Sequence, residues 1–258
     1  EIQTAEFGQG FEGVVRSRSE DLAGILNGVD YEEWDPRHDP HIKAAYDETD
    51  HLGKTLCKRA LLEEYGLATE PDLPVIGIIS RLVHQKGFDL VTDAMDALLS
   101  RGIRMVALGT GEPDVEAGLR EFVRRDPRRF GVRFQYDAGL AHRIEAGADM
   151  ILMPSRFEPC GLTQMYSMRY GTIPIVRSTG GLADTVEHFD LKRKKGTGFV
   201  FQHADPFGLM WAVDEALNAY ARPGPWTVLM QNAMTRDFSW ALSAERYEAV
   251  YSRAHTNV

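Results

Sequence analysis

Residues 157–166 read FEPCGLTQMY, which places a carboxylate, Glu158, three residues ahead of a glycine that opens a helical run. Pro159 favours an extended Glu158. At Gly161, Leu162 and Thr163 the first amides of the helix would lack intrahelical acceptors. Such a start is a seat for an anion, because unpaired N–H groups and the positive end of the helix dipole meet there. A carboxylate beside that seat would repel a phosphate, so its presence calls for a second ligand group of the opposite character.

Other chemistry-bearing residues fall in short, glycine-marked stretches. In SRLVHQKG (80–87), Arg81 offers a forked guanidinium for paired oxygens and Lys86 a point charge. Together they suit a diphosphate, or else they are two surface cations on a solvated loop. GTGEP (109–113) suits a tight turn that lets a nucleotide approach the backbone, and a plain strand-to-helix turn explains it equally well. In RSTGGL (177–182), Gly180 and Gly181 can form an anion nest, approach a sugar closely, or simply turn the chain. Tyr136 is placed to stack on a base or to fill core. Cys160 reads as a small packed residue more readily than as a reactive thiol, and 192–195 as a solvated loop. The eight histidines show no ligand spacing and no P-loop pattern occurs, so neither a metal nor a cofactor is expected.

The elements that must position these residues alternate. Strand patterns occur at 75–79, 103–108, 132–136, 150–153, 173–176 and 198–201. Between the first two, Phe88, Val91, Met95, Leu98 and Leu99 recur at helical spacing until Gly102. Short helices are expected over 138–148 and 162–170, and from Ala183 or Asp184. Strands alternating with helices imply an α/β fold with a doubly wound parallel sheet. In such sheets ligands sit at the carboxyl ends of the strands, which is where the five loops 80–87, 109–113, 136–139, 154–161 and 177–182 fall. Residues 1–50 read as a wrapping connector, followed by a helix from about 53 closed by Gly66. Asp205 and Pro206 form an N-cap and first helical position. A last helix from Ser239 carries Trp240, Ala244, Tyr247 and Tyr251 on one stripe.

The composition is that of a globular protein with a core, 43% hydrophobic and 26% charged. A net charge of -9 argues against non-specific nucleic-acid or anionic-membrane binding. No apolar run approaches the roughly 20 residues of a membrane span. The opening residues do not read as a secretory leader, and the two cysteines give no disulfide framework, so a reducing compartment is expected.

Taken together, GILNGVDYEEWDP, SRLVHQKG, ILMPSRFEPCGLTQMYSMRYGTIPIVRSTGGLADTV and GTGF resemble the bacterial glycogen synthases and plant starch synthases, in that family's order and over essentially the whole chain. Other sugar-nucleotide transferases share an E-P-x-G-L core; the Cys160 and Thr163-Gln164 context resembles this family in particular, as does a non-acidic Tyr166. The resemblance implies a retaining glycosyltransferase of GT-B fold that moves glucose from ADP-glucose to an α-1,4-glucan. Arg81 and Lys86 match its diphosphate-binding pair and Glu158 its essential carboxylate beside the glucose ring. The backbone of Gly161, Leu162 and Thr163 matches its phosphate-binding helix start. Tyr136 matches the region that packs on adenine, and Gly180 and Gly181 the step near the donor sugar. The puzzle of Glu158 then resolves: as positive charge grows on the ring and negative charge on the leaving diphosphate, Glu158 would serve the ring cation or hold its hydroxyls, while the cations and helix start serve the diphosphate.

The implied organisation is a connector over 1–50, a Rossmann-like nucleotide-sugar-binding domain over 51–223, and C-terminal helices over 224–258. The acceptor motif K-x-G-G-L of the family's first domain is not found, so the chain resembles the donor-binding half. It is expected to bind nucleotide, to need its N-terminal partner domain for elongation, and, through the uncovered C-terminal stripe, either to self-associate or to have a loose C-terminal end. The expected compartment is the cytoplasm, or the plastid if the source is a plant or alga. The alternatives are a transferase using UDP-glucose or another sugar nucleotide, and a non-catalytic nucleotide-sugar or glucan-binding module.

Overall fold

Residues 75–79, VIGII, are apolar on both faces, as a parallel strand covered by helices on either side requires. In the computed structural model, which describes residues 2–256, they form β1 (Val75–Ile79). With β2 (Arg104–Leu108), β3 (Phe130–Arg133), β4 (Met150–Met153), β5 (Ile173–Arg177) and β6 (Phe199–Phe201) they make a six-stranded sheet in the order β3-β2-β1-β4-β5-β6. Every pairing is parallel. The chain winds outward from β1 to β3, then returns to place β4 on the other side of β1. That reversal of strand order, at the carboxyl ends of β1 and β4, is where sheets of this kind hold their ligands.

The helices, in chain order, are α1 (Glu12–Ser17), α2 (Leu52–Tyr65), α3 (Phe88–Asp93), α4 (Met95–Leu99), α5 (Pro113–Arg125), α6 (Ala138–Gly147), α7 (Thr163–Arg169), α8 (Gly180–Thr185), α9 (Pro206–Tyr220), α10 (Pro223–Met234) and α11 (Trp240–Thr256). Gly66 ends α2 in the left-handed region (φ 70°), and the Asp205 carboxylate caps α9 by accepting from the Gly208 amide at 2.7 Å. Ile76, Ile78, Leu82, Leu98, Ile103 and Leu140 lie fully buried in the core, each such side chain contributing roughly 1.5–3 kcal/mol on burial.

Three elements depart from the pattern reading. The helical run from Phe88 does not continue unbroken. It breaks at Ala94, where the Thr92 hydroxyl bonds back to the Phe88 and Asp89 carbonyls and competes with the backbone ladder. The third strand lies two residues earlier than its alternation suggests, because pairing of Phe130 with Met105 and Arg133 with Leu108 sets the register. Tyr136 therefore sits in the following loop rather than at a strand end. The helix after β5 starts at Gly180 instead of Ala183 or Asp184, and it ends before Val186.

Contacts divide the chain into two units, one of Glu1–Asp30 with Asp237–Val258 and one of Tyr31–Arg236. Within the first, Val29 donates to the Phe238 carbonyl at 2.7 Å and Ser243 to that of Leu26 at 2.9 Å. A Cβ on Gly28 would lie 2.4 Å from the Trp240 Cα, so only glycine lets this segment pass the start of α11. Trp240, Tyr247 and Tyr251 are exposed. Among the described residues no helix is long and apolar enough to cross a membrane.

Candidate active site

Gly87 adopts φ 73°, and a Cβ there would come within 2.0 Å of the Pro154 carbonyl oxygen. Glycine thus lets the loop after β1 lie directly on the loop after β4. The two are stitched by Arg156 N–H donating to the Gln85 carbonyl at 2.8 Å and by an ion pair between Arg156 and Asp89. We predict that Gly87→Ala costs about 2–4 kcal/mol, from the left-handed backbone and the clash together. Gly224, in α10 with nothing near its missing Cβ, should tolerate alanine. Urea unfolding of both variants is the check, and equal midpoints would refute the assignment.

This close approach brings together two of the residues singled out by type. The Lys86 ammonium pairs with Glu158 Oε2, and Ser155 Oγ donates to the same oxygen at 3.4 Å. Glu158 is only 7% exposed, so its charge needs a partner, and Lys86 supplies it. Nothing in the spacing announced this contact. It explains how a carboxylate can stand beside an anion seat: the pair is close to neutral, and Ser155 helps hold the carboxylate in place.

The rest of the loop is held by backbone contacts. Gly161 turns the chain with φ 71°. The Gln164 amide donates to the Cys160 carbonyl at 3.0 Å, the Gly161 carbonyl at 2.9 Å and Thr185 Oγ1 at 3.1 Å. Among the described residues the amides of Gly161, Leu162 and Thr163 donate to no backbone carbonyl, and no side chain caps α7. Gly181 donates to the Glu158 carbonyl at 2.8 Å, and a Cβ on it would stand 1.9 Å from the Cys160 carbonyl oxygen. The Gly180-Gly181 step is therefore seated against the Glu158 loop. Arg177, which the sequence reading did not single out, donates to the carbonyls of Ser155 and Arg156. A basic residue at the end of a central strand was the available signal.

The other expected residues are less closely tied. Arg81 is exposed on the loop after β1, with no ion-pair partner among the described residues. Tyr136 is 93% exposed, and no contact joins it to the Lys86–Glu158 pair. The glycines of 109–113 serve packing: Cβ atoms on Gly109 and Gly111 would lie 1.8 and 2.0 Å from the Ser80 and Leu82 carbonyl oxygens. Among the described residues no group of three or more His, Cys, Asp or Glu is placed to hold a metal.

Behind α7 lies a buried network that residue types alone did not announce. Trp34 is stacked between His142 (3.8 Å) and Tyr166 (4.0 Å). Asp39 accepts from His142 Nδ1 at 2.8 Å and from the Tyr170 hydroxyl at 2.5 Å, while Asp35 pairs with Arg37 and Arg169. Burial works against the Asp35 charge, but hydrogen bonds from Arg37 and Arg169 prevail and hold its pKa down to about 2. Burial pushes Glu145 up to about 8. The Ser167 hydroxyl lies 2.7 Å from both Glu145 Oε2 and the Thr163 carbonyl and can donate to either. The first turn of α7 is thereby anchored from beneath.

The family model described as "Glycosyl transferases group 1" matches residues 66–224. A glycogen synthase of Anaeromyxobacter sp. (strain Fw109-5) is 51% identical over 251 residues, covering 97% of this chain and 53% of that protein. Glycogen synthase 1 of Geobacter sulfurreducens is 49% identical over 255 residues, 98% of this chain and 51% of that protein. Among solved structures, the catalytic domain of starch synthase IV from Arabidopsis thaliana, bound to ADP and acarbose, superposes with a TM-score of 0.90. It is 40% identical, with 98% of this chain and 53% of that chain covered. The chain spans about half the length of the curated relatives it matches.

Proposed function

The chain belongs to the group 1 glycosyl transferases, and on that premise we propose that it carries the donor-binding and catalytic residues of a retaining glucosyltransferase. Glucose passes from ADP-glucose to the non-reducing end of an α-1,4-glucan. The observation that carries the reading is the Lys86–Glu158 pair beside the uncapped start of α7, at the switch point of the sheet. ADP in the starch synthase IV structure supports the choice of nucleotide, and acarbose there supports a glucan acceptor.

In the reaction, the bond between glucose C1 and the diphosphate oxygen breaks, and a bond forms from an acceptor hydroxyl to C1 on the same face. The acceptor proton leaves with the diphosphate, which carries the electron pair of the broken bond. Arg81, Lys86 and the amides at Gly161–Thr163 stabilise the charge growing on the diphosphate. Glu158 faces the glucosyl group, whose ring gains positive charge as the bond stretches. Gly180 and Gly181 let the backbone approach the sugar, and Tyr136 packs on the base. Elongation is proposed for a protein of the relatives' full length, with a soluble, membrane-free setting; donor binding is proposed for these residues themselves.

A calorimetric titration with ADP and with UDP tests the reading. ADP should bind in preference to UDP, and Arg81→Ala should weaken ADP by about tenfold or more, the loss of a charge-assisted hydrogen bond. The reading fails if neither nucleotide binds or if Arg81→Ala leaves ADP affinity unchanged. Preference for UDP would reassign the donor.

A further inference from the structure

A cavity of about 680 Å³ opens at the opposite, amino-terminal edge of the sheet. Asp149, just before β4, lines it, whereas Glu158 lies past the end of that strand. The four residues of β4 alone separate the two by about 13 Å. None of the residues assigned above to the donor site lines this cavity, yet its size is within the roughly 300–1,000 Å³ of ligand pockets.

Its chemistry is specific. Three cations, Lys54, Lys58 and Arg59, face three carboxylates, Glu70, Asp72 and Asp149. The Lys58 ammonium is held by Asp72 at 2.8 Å, Asp149 at 3.0 Å and the Tyr220 hydroxyl at 2.9 Å. With charges in balance, the cavity favours neither an anion nor a cation. Tyr220 and Trp226 meet edge to face, centroids 5.0 Å apart, and form an apolar wall between these polar groups. On the rim, His51 Nε2 is buried with no hydrogen-bond partner among the described residues. Burial and then the Lys54 charge push that ring's pKa down, which favours its neutral form. A buried Nε2 without a partner costs free energy unless a hydroxyl, able to donate or accept, reaches it.

An uncharged ligand that offers many hydroxyls, each both donor and acceptor, together with apolar C–H faces, answers all of these features. That is a sugar chain. We propose that this cavity binds a segment of linear α-glucan, as a second glucan site on the far edge of the sheet from the donor site. The choice of glucan among saccharides rests on the function proposed above. A site of this kind retains a polymer between additions and raises the effective concentration of its chain ends.

Two-dimensional NMR of the chain titrated with maltoheptaose tests this through the indole N–H of Trp226, one of four tryptophans. The Trp226 resonance should move with saturation. Thr227→Trp, which fills the cavity from the exposed side of α10, should weaken binding by about tenfold or more, with Tyr220→Phe as a milder second variant. An unmoved Trp226 resonance, or two variants that bind like wild type, would overturn the proposal. ADP titrated into the same samples reads the donor site separately. A Trp226 response without ADP binding sinks the donor assignment and leaves a saccharide site. ADP binding without a Trp226 response sinks the second site alone.

Discussion

Replacing Glu158 by glutamine should remove about two to three orders of magnitude of glucosyl transfer, the scale of losing one group aimed at developing charge, while ADP binds at least as tightly as before. The sign of the second effect follows from the contact with Lys86. In the wild type, part of the Lys86 charge is spent on a carboxylate that is only 7% exposed. Glutamine keeps the shape and can still accept from Ser155, but it leaves the ammonium unneutralised. A diphosphate arriving at the start of α7 then meets a stronger positive field. Steady-state transfer rates in a protein of full family length, paired with ADP calorimetry, separate the two effects. Parallel loss of ADP binding would make Glu158 a folding residue, and unchanged transfer would remove it from the chemistry.

That coupling marks the boundary of what was legible in the sequence. β1 and β4 were readable to the residue, because a strand buried on both faces is an uninterrupted apolar run bounded by polar turns. β3 was not, since FGVR begins with a glycine-containing step and its place is decided by the partner strand. Arg81, Lys86 and Glu158 stood out by type and by their position after strands. The ion pair between two of them did not, because it depends on how closely Gly87 lets one loop approach Pro154. Local pattern carries period and polarity, whereas a contact between distant loops is a property of the packed sheet. The same limit hid the second cavity, whose lining comes from α2, the approach to β1, and α9 and α10.

It also hid Asp39, and here the largest effect on stability is expected. Residues 34–41 read as connector, rich in Asp and Pro, yet the Asp39 side chain is fully buried. Its carboxylate accepts from His142 Nδ1, the Tyr170 hydroxyl and the His41 amide. Burial alone would raise its pKa, but the bonds from His142 and Tyr170 outweigh that and hold it below the usual range. Asp39→Ala would strand two buried donors, for Tyr170 is 0% and His142 2% exposed. Leaving each of these buried donors unsatisfied costs about 1–3 kcal/mol, together a large share of the roughly 5–15 kcal/mol that holds a typical domain together. Urea unfolding at pH 7 should show that loss, and Asp39→Asn, which keeps an acceptor, should show less. The pH dependence gives a second reading. The folded carboxyl titrates below its unfolded value of about 3.9, so the unfolded state binds more protons as pH falls. The stabilisation is full above that value and lost as pH drops through the folded pKa. Wild type and Asp39→Ala should therefore converge in acid and diverge toward neutrality. A constant gap across that window would mean that Asp39 fills space rather than carrying charge. With it would go the view that the 31–47 segment braces α7 through His142, Tyr170 and the Trp34–Tyr166 stack.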